Sequence, residues 1–156
     1  MKKLRLVEAT EDELHSSVAH LLSIALLPPA FWSTWPAGGY ALTPAAAGRL
    51  KRLGSMRGVP DILAIYNSKP MGIELKKLTG RRSAPQKETH MQLESAGCPV
   101  YVCRTPEAVI DALDREDFPI RPSIRKQLLE RPYTPAERSY GNGNIEAAQS
   151  GAPQPA

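Results

Sequence analysis

Two short apolar runs on either side of one tight turn constrain this chain more than any other feature. Asp61-Ile62-Leu63-Ala64-Ile65-Tyr66 and Met71-Gly72-Ile73-Glu74-Leu75 read as strands, and Asn67-Ser68-Lys69-Pro70 between them has turn chemistry. The first strand is apolar on both faces, as expected inside a sheet. With Tyr66 opposite Met71, Asp61 lies opposite Lys76. Glu74 is then its diagonal neighbour on the same face, roughly 7–8 Å away between Cα atoms. Lys76, two residues after Glu74, points to the same side. Charges in such strands are costly unless they pair or bind metal. One Asp and one Glu can hold a hard divalent cation through oxygen. With a lysine beside them they suit a metal-activated water attacking a phosphodiester. An Asp61–Lys76 ion pair at a strand end is the purely structural alternative.

The neighbouring segments predict helices and one more strand. Thr10 is an N-cap, with Glu11, Asp12 and Glu13 in the first turn. Leu14, Val18, Leu21, Leu22 and Ala25 then form an apolar stripe that Pro28-Pro29 ends. Phe31 to Tyr40 reads as a loop or a short irregular strand. A second helix starts at Thr43-Pro44 and stops at Gly54. A third opens at Ser83 and ends at Gly97. Val100-Tyr101-Val102-Cys103 is a buried strand, and Thr105-Pro106 caps a helix running to about Leu113. The fold class is therefore α/β, a mixed central sheet flanked by helices on both sides. One domain over residues 1–118, a short helical extension over 119–131 and a disordered tail over 132–156 complete the organisation.

Composition excludes several classes. No apolar run is long enough to span a bilayer, and no secretory signal is recognisable. Cys98 and Cys103 flank a strand about 16 Å long, beyond disulfide reach, so they read as reduced thiols in a cytoplasm. No zinc spacing is present. The net charge is +4, but the cations cluster: Arg49, Lys51, Arg52 and Arg57 before Asp61, then Lys77, Arg81, Arg82 and Lys87 after Glu74. Cations on both sides of an acidic pair fit an acidic polymer lying across it; a solvated charged surface is the plainer reading. Trp32, Trp35 and Tyr40 can stack on bases or pack in a core. His15 and His90, four residues from Glu11 and Gln86, can share their faces. With His20 they do not form a ligand set by spacing.

Several elements together resemble the VRR-NUC (virus-type replication-repair nuclease) family of the PD-(D/E)xK nucleases, phage and prophage type. They are Gly58-Val59-Pro60-Asp61, Ile73-Glu74-Leu75-Lys76, Gly80 with Ser83-Ala84-Pro85-Gln86, Ala96-Gly97 before Val100-Tyr101-Val102, and the acidic opening helix. The likeness runs from about Thr10 to Leu113. Gly38-Gly39 lies where the family has a polar loop beside DNA, although Thr34-Trp35-Pro36-Ala37 departs from that pattern.

The resemblance implies a restriction-endonuclease-like core and a Mg2+- or Mn2+-dependent endonuclease without any small-molecule cofactor. Asp61 and Glu74, with the Leu75 carbonyl and Glu11, would hold the metal; Lys76 and Gln86 would act on the water or the phosphate. Glu11 and Glu13 compete for the first role, and Gln86 equally completes a capping box with Ser83. The implied substrate is branched, flap or junction DNA in phage replication, recombination or repair, cut by a homodimer in the host cytoplasm. A non-catalytic nucleic-acid-binding or phage assembly module and an RNA-directed nuclease are the competing readings.

Overall fold

The computed structural model describes residues 10–35 and 43–130. Tyr40, the Gly38-Gly39 pair and the tail over 132–156 lie outside the described residues. Within them the chain order is α1 (Glu11–Ala25), β1 (Phe31–Thr34), α2 (Pro44–Arg52), β2 (Ile62–Tyr66), β3 (Lys69–Leu75), α3 (Ala84–Ser95), β4 (Val100–Cys103), α4 (Pro106–Arg115) and α5 (Pro122–Leu129). The four strands lie in sequence order. β1, β2 and β3 are antiparallel neighbours, and β4 adds parallel to β3 after the α3 crossover. The sheet is therefore mixed, as the sequence predicts.

Alternation along β2 and β3 divides the interior. Ile62, Ala64, Met71, Ile73 and Leu75 point to one face, where they meet Leu14, Val18 and Leu22 of α1 and Val109, Ala112 and Leu113 of α4 in one core. Glu74 points to the other face, toward α3. The α1 stripe falls where its helical spacing places it, and a capping box between Thr10 and Glu13 starts the helix.

Of the two readings of the segment from Phe31, the strand holds over Phe31–Thr34, which pairs along its length with β2. The hairpin is tighter than its sequence suggests. Asn67 and Ser68 both take positive φ (+48° and +62°), so the turn has two residues and Tyr66 pairs with Lys69. Lys69 and Pro70 belong to β3. Pro70 is tolerated there because β4 pairing begins only at Gly72. The register thus shifts by two. Asp61, one step beyond the Ile62–Ile73 pair, faces Glu74 directly and not Lys76. Side chains alternate with period two, so a slip of two leaves every residue on its expected face.

Candidate active site

Glu74 is the centre of the site. It lies in β3 between two hydrogen-bonded neighbours, and its side chain is only 1% exposed. Burying a lone carboxylate is prohibitive unless donors surround it. Here Lys76 Nζ lies 2.8 Å from Oε1 and is itself only 12% exposed. Gln86 Nε2 donates to the same oxygen at 2.5 Å, and His90 Nε2 stands 3.5 Å from Oε2. The ammonium goes to Glu74, with Glu11 Oε1 at 3.9 Å, which displaces the simple Asp61–Lys76 pair.

Asp61 sits at the entrance to β2. Its Oδ2 accepts from the Leu75 backbone N–H at 2.7 Å, tying the two strand ends together. Burial raises its pKa, the charge of Glu74 raises it further, and the Leu75 N–H, Lys76 and His15 only partly oppose this. Lys76 behaves differently. Burial pulls its pKa down, but the hydrogen bond and charge of Glu74, helped by Glu11 and Asp61, outweigh burial and raise it above the usual value. The ammonium is therefore held in place and charged.

Both readings of Gln86 hold at once. Its Oε1 accepts from Ser83 N–H at 2.8 Å, and Ser83 Oγ accepts from Gln86 N–H, completing the capping box. That leaves Nε2 free to reach Glu74. Glu11 and Glu13 separate cleanly. Glu13 closes the α1 capping box on Thr10, whereas Glu11, 48% exposed, faces Lys76 and Gly80.

The glycine and proline before Asp61 have clear causes. Gly58 has φ +79°, and a Cβ there would lie 2.4 Å from the Pro85 carbonyl oxygen and 2.6 Å from the Gln86 nitrogen. Only glycine lets this segment touch the N-terminus of α3. Thr89 Oγ donates to the Arg57 carbonyl at 2.6 Å and fixes the same contact. Pro60 is buried over Gly72, where a Cβ would meet its ring at 2.7 Å.

Asp61, Glu74, Lys76, Gln86 and Glu11 thus meet in one place. Leu75 contributes its N–H to Asp61 and buries its side chain in the core. Arg49, Lys51, Arg52, Arg57, Lys77, Arg81 and Lys87 are exposed, and Arg82 is half-buried. Trp32 packs against the core and Trp35 is exposed. Sequence reasoning missed Arg104. Its Nη1 donates to the Lys77 and Gly80 carbonyls at 2.6 and 2.8 Å, pinning the loop that leads from Lys76 to the basic segment. Nothing in the local pattern marks a bond across 24 and 27 residues.

Among the described residues no group of three or more His, Cys, Asp or Glu is arranged to hold a metal ion. The carboxylates nevertheless suit a hard cation. Two acids face each other across the strands, Asp61 is pushed up partly by its neighbour's charge, and Glu74 Oε2 has no hydrogen-bond partner. Cys98 and Cys103 are both buried free thiols, and burial pushes Cys103 up to about 12. Among the described residues no helix is long and apolar enough to cross a membrane.

Comparison with solved structures finds a protein described as "VRR_NUC domain protein". It superposes with a TM-score of 0.51 and 22% identity over 69% of this chain and 88% of that one. This chain has the fold of a VRR_NUC domain protein. The α/β, restriction-endonuclease-like class expected from the sequence is therefore correct. No family model and no curated protein sequence matches the chain.

Proposed function

We propose that the protein is a metal-dependent nuclease of the VRR-NUC type, hydrolysing phosphodiester bonds in DNA. One observation carries the reading. A fully buried glutamate, paired with a nearly buried lysine and opposed by a second carboxylate, sits at the strand ends of a VRR_NUC fold. A core that needed only stability would be served as well by apolar residues of similar volume. A carboxylate with a raised pKa, Asp61, beside a held cation is what hydrolytic chemistry requires.

Asp61 and Glu74, with the Leu75 carbonyl and Glu11 as further oxygens, would hold Mg2+ or Mn2+. When bound, that ion would supply an acidified water and neutralise charge on the phosphate. The remaining work belongs to the chain. Lys76, kept charged by Glu74, places a fixed positive charge beside the scissile phosphate and orients the attacking water. Gln86 holds Glu74 Oε1 from α3 so that the carboxylate does not follow the ammonium when substrate draws on it. Leu75 N–H keeps Asp61 turned toward Glu74. Arg49, Lys51, Arg52, Arg57, Lys77, Arg81, Arg82 and Lys87 would contact phosphates, which position a strand without reading its sequence. Such contacts favour DNA shape, hence flaps or junctions in phage replication, recombination or repair, cut by a homodimer.

The test is a cleavage panel of single-stranded, duplex, flap and four-way-junction DNA, with matched RNA, in Mg2+ and in Mn2+. Cleavage should vanish with EDTA and in Asp61→Ala, Glu74→Ala and Lys76→Ala proteins that remain folded. Full cutting by any of these variants would sink the assignment. Retained DNA affinity with no metal-dependent nicking would point to a binding module.

A further inference from the structure

Of the three histidines, only His90 is fully buried. It lies one helical turn after Gln86 on α3, so the two side chains share a face. Both meet Glu74. Gln86 and Lys76 take Oε1, and His90 Nε2 stands 3.5 Å from Oε2. Oε2 has no hydrogen-bond partner, and neither ring nitrogen of His90 has one. Buried polar groups of this kind are normally satisfied. Two of them face each other across a gap only slightly longer than a hydrogen bond. A neutral imidazole carries its proton on one nitrogen, and only the Nε2–H tautomer can donate to Oε2.

We propose that His90 is a positioning residue for Glu74. Its Nε2–H holds Oε2 while Lys76 and Gln86 hold Oε1, so the carboxylate is clamped at both oxygens and cannot rotate. A carboxylate offers about four lone-pair sites. Three donors leave about one, so Glu74 meets any cation in a single pose. The catalytic consequence rests on the nuclease reading above; the hydrogen bond itself does not.

Two measurements test it. Nitrogen-15 NMR of the metal-free full chain, labelled at histidine, reads the tautomer of His90. The Nε2–H form is expected, with its resonance moving in Glu74→Gln. An Nδ1–H tautomer overturns the proposal whether or not the protein is a nuclease. Calorimetric titration with Mn2+ then compares the unaltered chain with His90→Leu, which keeps bulk without a donor, and His90→Gln, which restores one. His90→Leu should bind Mn2+ about 10- to 100-fold more weakly. His90→Gln should recover most of that loss, and KM for DNA should hold in both. Equal Mn2+ binding by His90→Leu and the unaltered chain overturns the proposal, as does a glutamine no better than leucine. If the unaltered chain takes up no Mn2+, the metal reading fails and the tautomer alone decides the role of His90. The tautomer also decides if His90→Leu does not fold.

Discussion

Replacing Gly58 by alanine should damage the protein through two separable effects. Gly58 has φ +79°, and a left-handed conformation costs a residue with a Cβ about 1–2 kcal/mol. The new Cβ would also lie 2.4 Å from the Pro85 carbonyl oxygen and 2.6 Å from the Gln86 nitrogen. Both are backbone atoms of the first turn of α3, so no side chain can swing away. Relief requires the helix end to retreat, at about 1–3 kcal/mol for an overpacked contact of this kind. The sum is about 2–5 kcal/mol, or a fall in melting temperature of roughly 8–20 °C at about 4 °C per kcal/mol. A retreat of α3 also draws Gln86 away from Glu74, so the variant should lose more activity than its remaining folded fraction explains. Gly97 supplies the control. It has φ +83° with nothing within 4 Å of a Cβ, so Gly97→Ala should show only the conformational part, about 1–2 kcal/mol. Urea unfolding of the two variants, followed by circular dichroism, measures the difference. If Gly58→Ala lies within about 0.5 kcal/mol of Gly97→Ala, close approach to α3 is not why this position needs glycine.

Three other outcomes follow from the charges and the loop. Burial and the charge of Glu74 raise the Asp61 pKa above 3.8, so the folded, metal-free protein binds that proton more tightly than the unfolded chain. Stability is then lost as pH rises from 3.8 through the folded value, and Asp61→Asn should melt higher than the unaltered chain at pH about 7. That advantage should shrink toward pH about 4, and a lower melting temperature at neutral pH would contradict the electrostatic account. For Lys76 the raised pKa gives a stabilising contribution fully present below 10.5 and lost as pH climbs through the folded value. Tyr101, pushed up to about 12 by burial and by its hydrogen bond to Glu116, loses stability in the same alkaline range. Cys98 and Cys103, whose thiol pKa values burial raises, add to the decline in that range. Melting curves are therefore best compared in a Tyr101→Phe background, where Lys76→Met should reduce the alkaline decline without abolishing it; an unchanged decline rules Lys76 out as a source. Arg104→Met removes two charge-assisted hydrogen bonds from the loop beside Lys76, for about 1–3 kcal/mol. Amide hydrogen exchange at Gly80 should speed up, and unaltered exchange would show that the loop holds its shape without the guanidinium.

Much of the site was legible because strand periodicity is forgiving. The sequence reading placed Asp61, Glu74 and Lys76 on one face with a register two residues wrong, and they remain on one face in the structure. The pairing partners depend instead on the turn. Pro70 reads as a turn residue, but Asn67 and Ser68 tolerate positive φ and close the turn alone. Capping chemistry was local and readable at Thr10 and Ser83. It could not show that Glu13 is occupied by its cap while Glu11 is turned to Lys76, since that depends on how α1 docks. Phe31–Thr34 carries no decisive alternation, and its strand conformation comes from the edge of β2. Arg104 escapes for a further reason: its partners are brought near only by the crossover. For His90 the spacing of four from Gln86 gave the shared face, while its approach to Glu74 depends on how α3 docks.

The crossover from β3 through α3 to β4 has a consequence for how the protein tolerates change. Glu74, Lys76, Gln86 and His90 all lie between Lys69 and Cys103, inside one strand–helix–strand unit. Local opening that lifts α3 from the sheet must uncover the glutamate and remove two of its neighbours in the same event. β1, at the far edge, can fray with β2 still held on its other side by β3. Drift in sequence should therefore be absorbed at β1 and along α2, which buries none of its residues. The crossover unit is then the piece most readily inherited intact, with Asp61 and Glu11 as contributions from outside it.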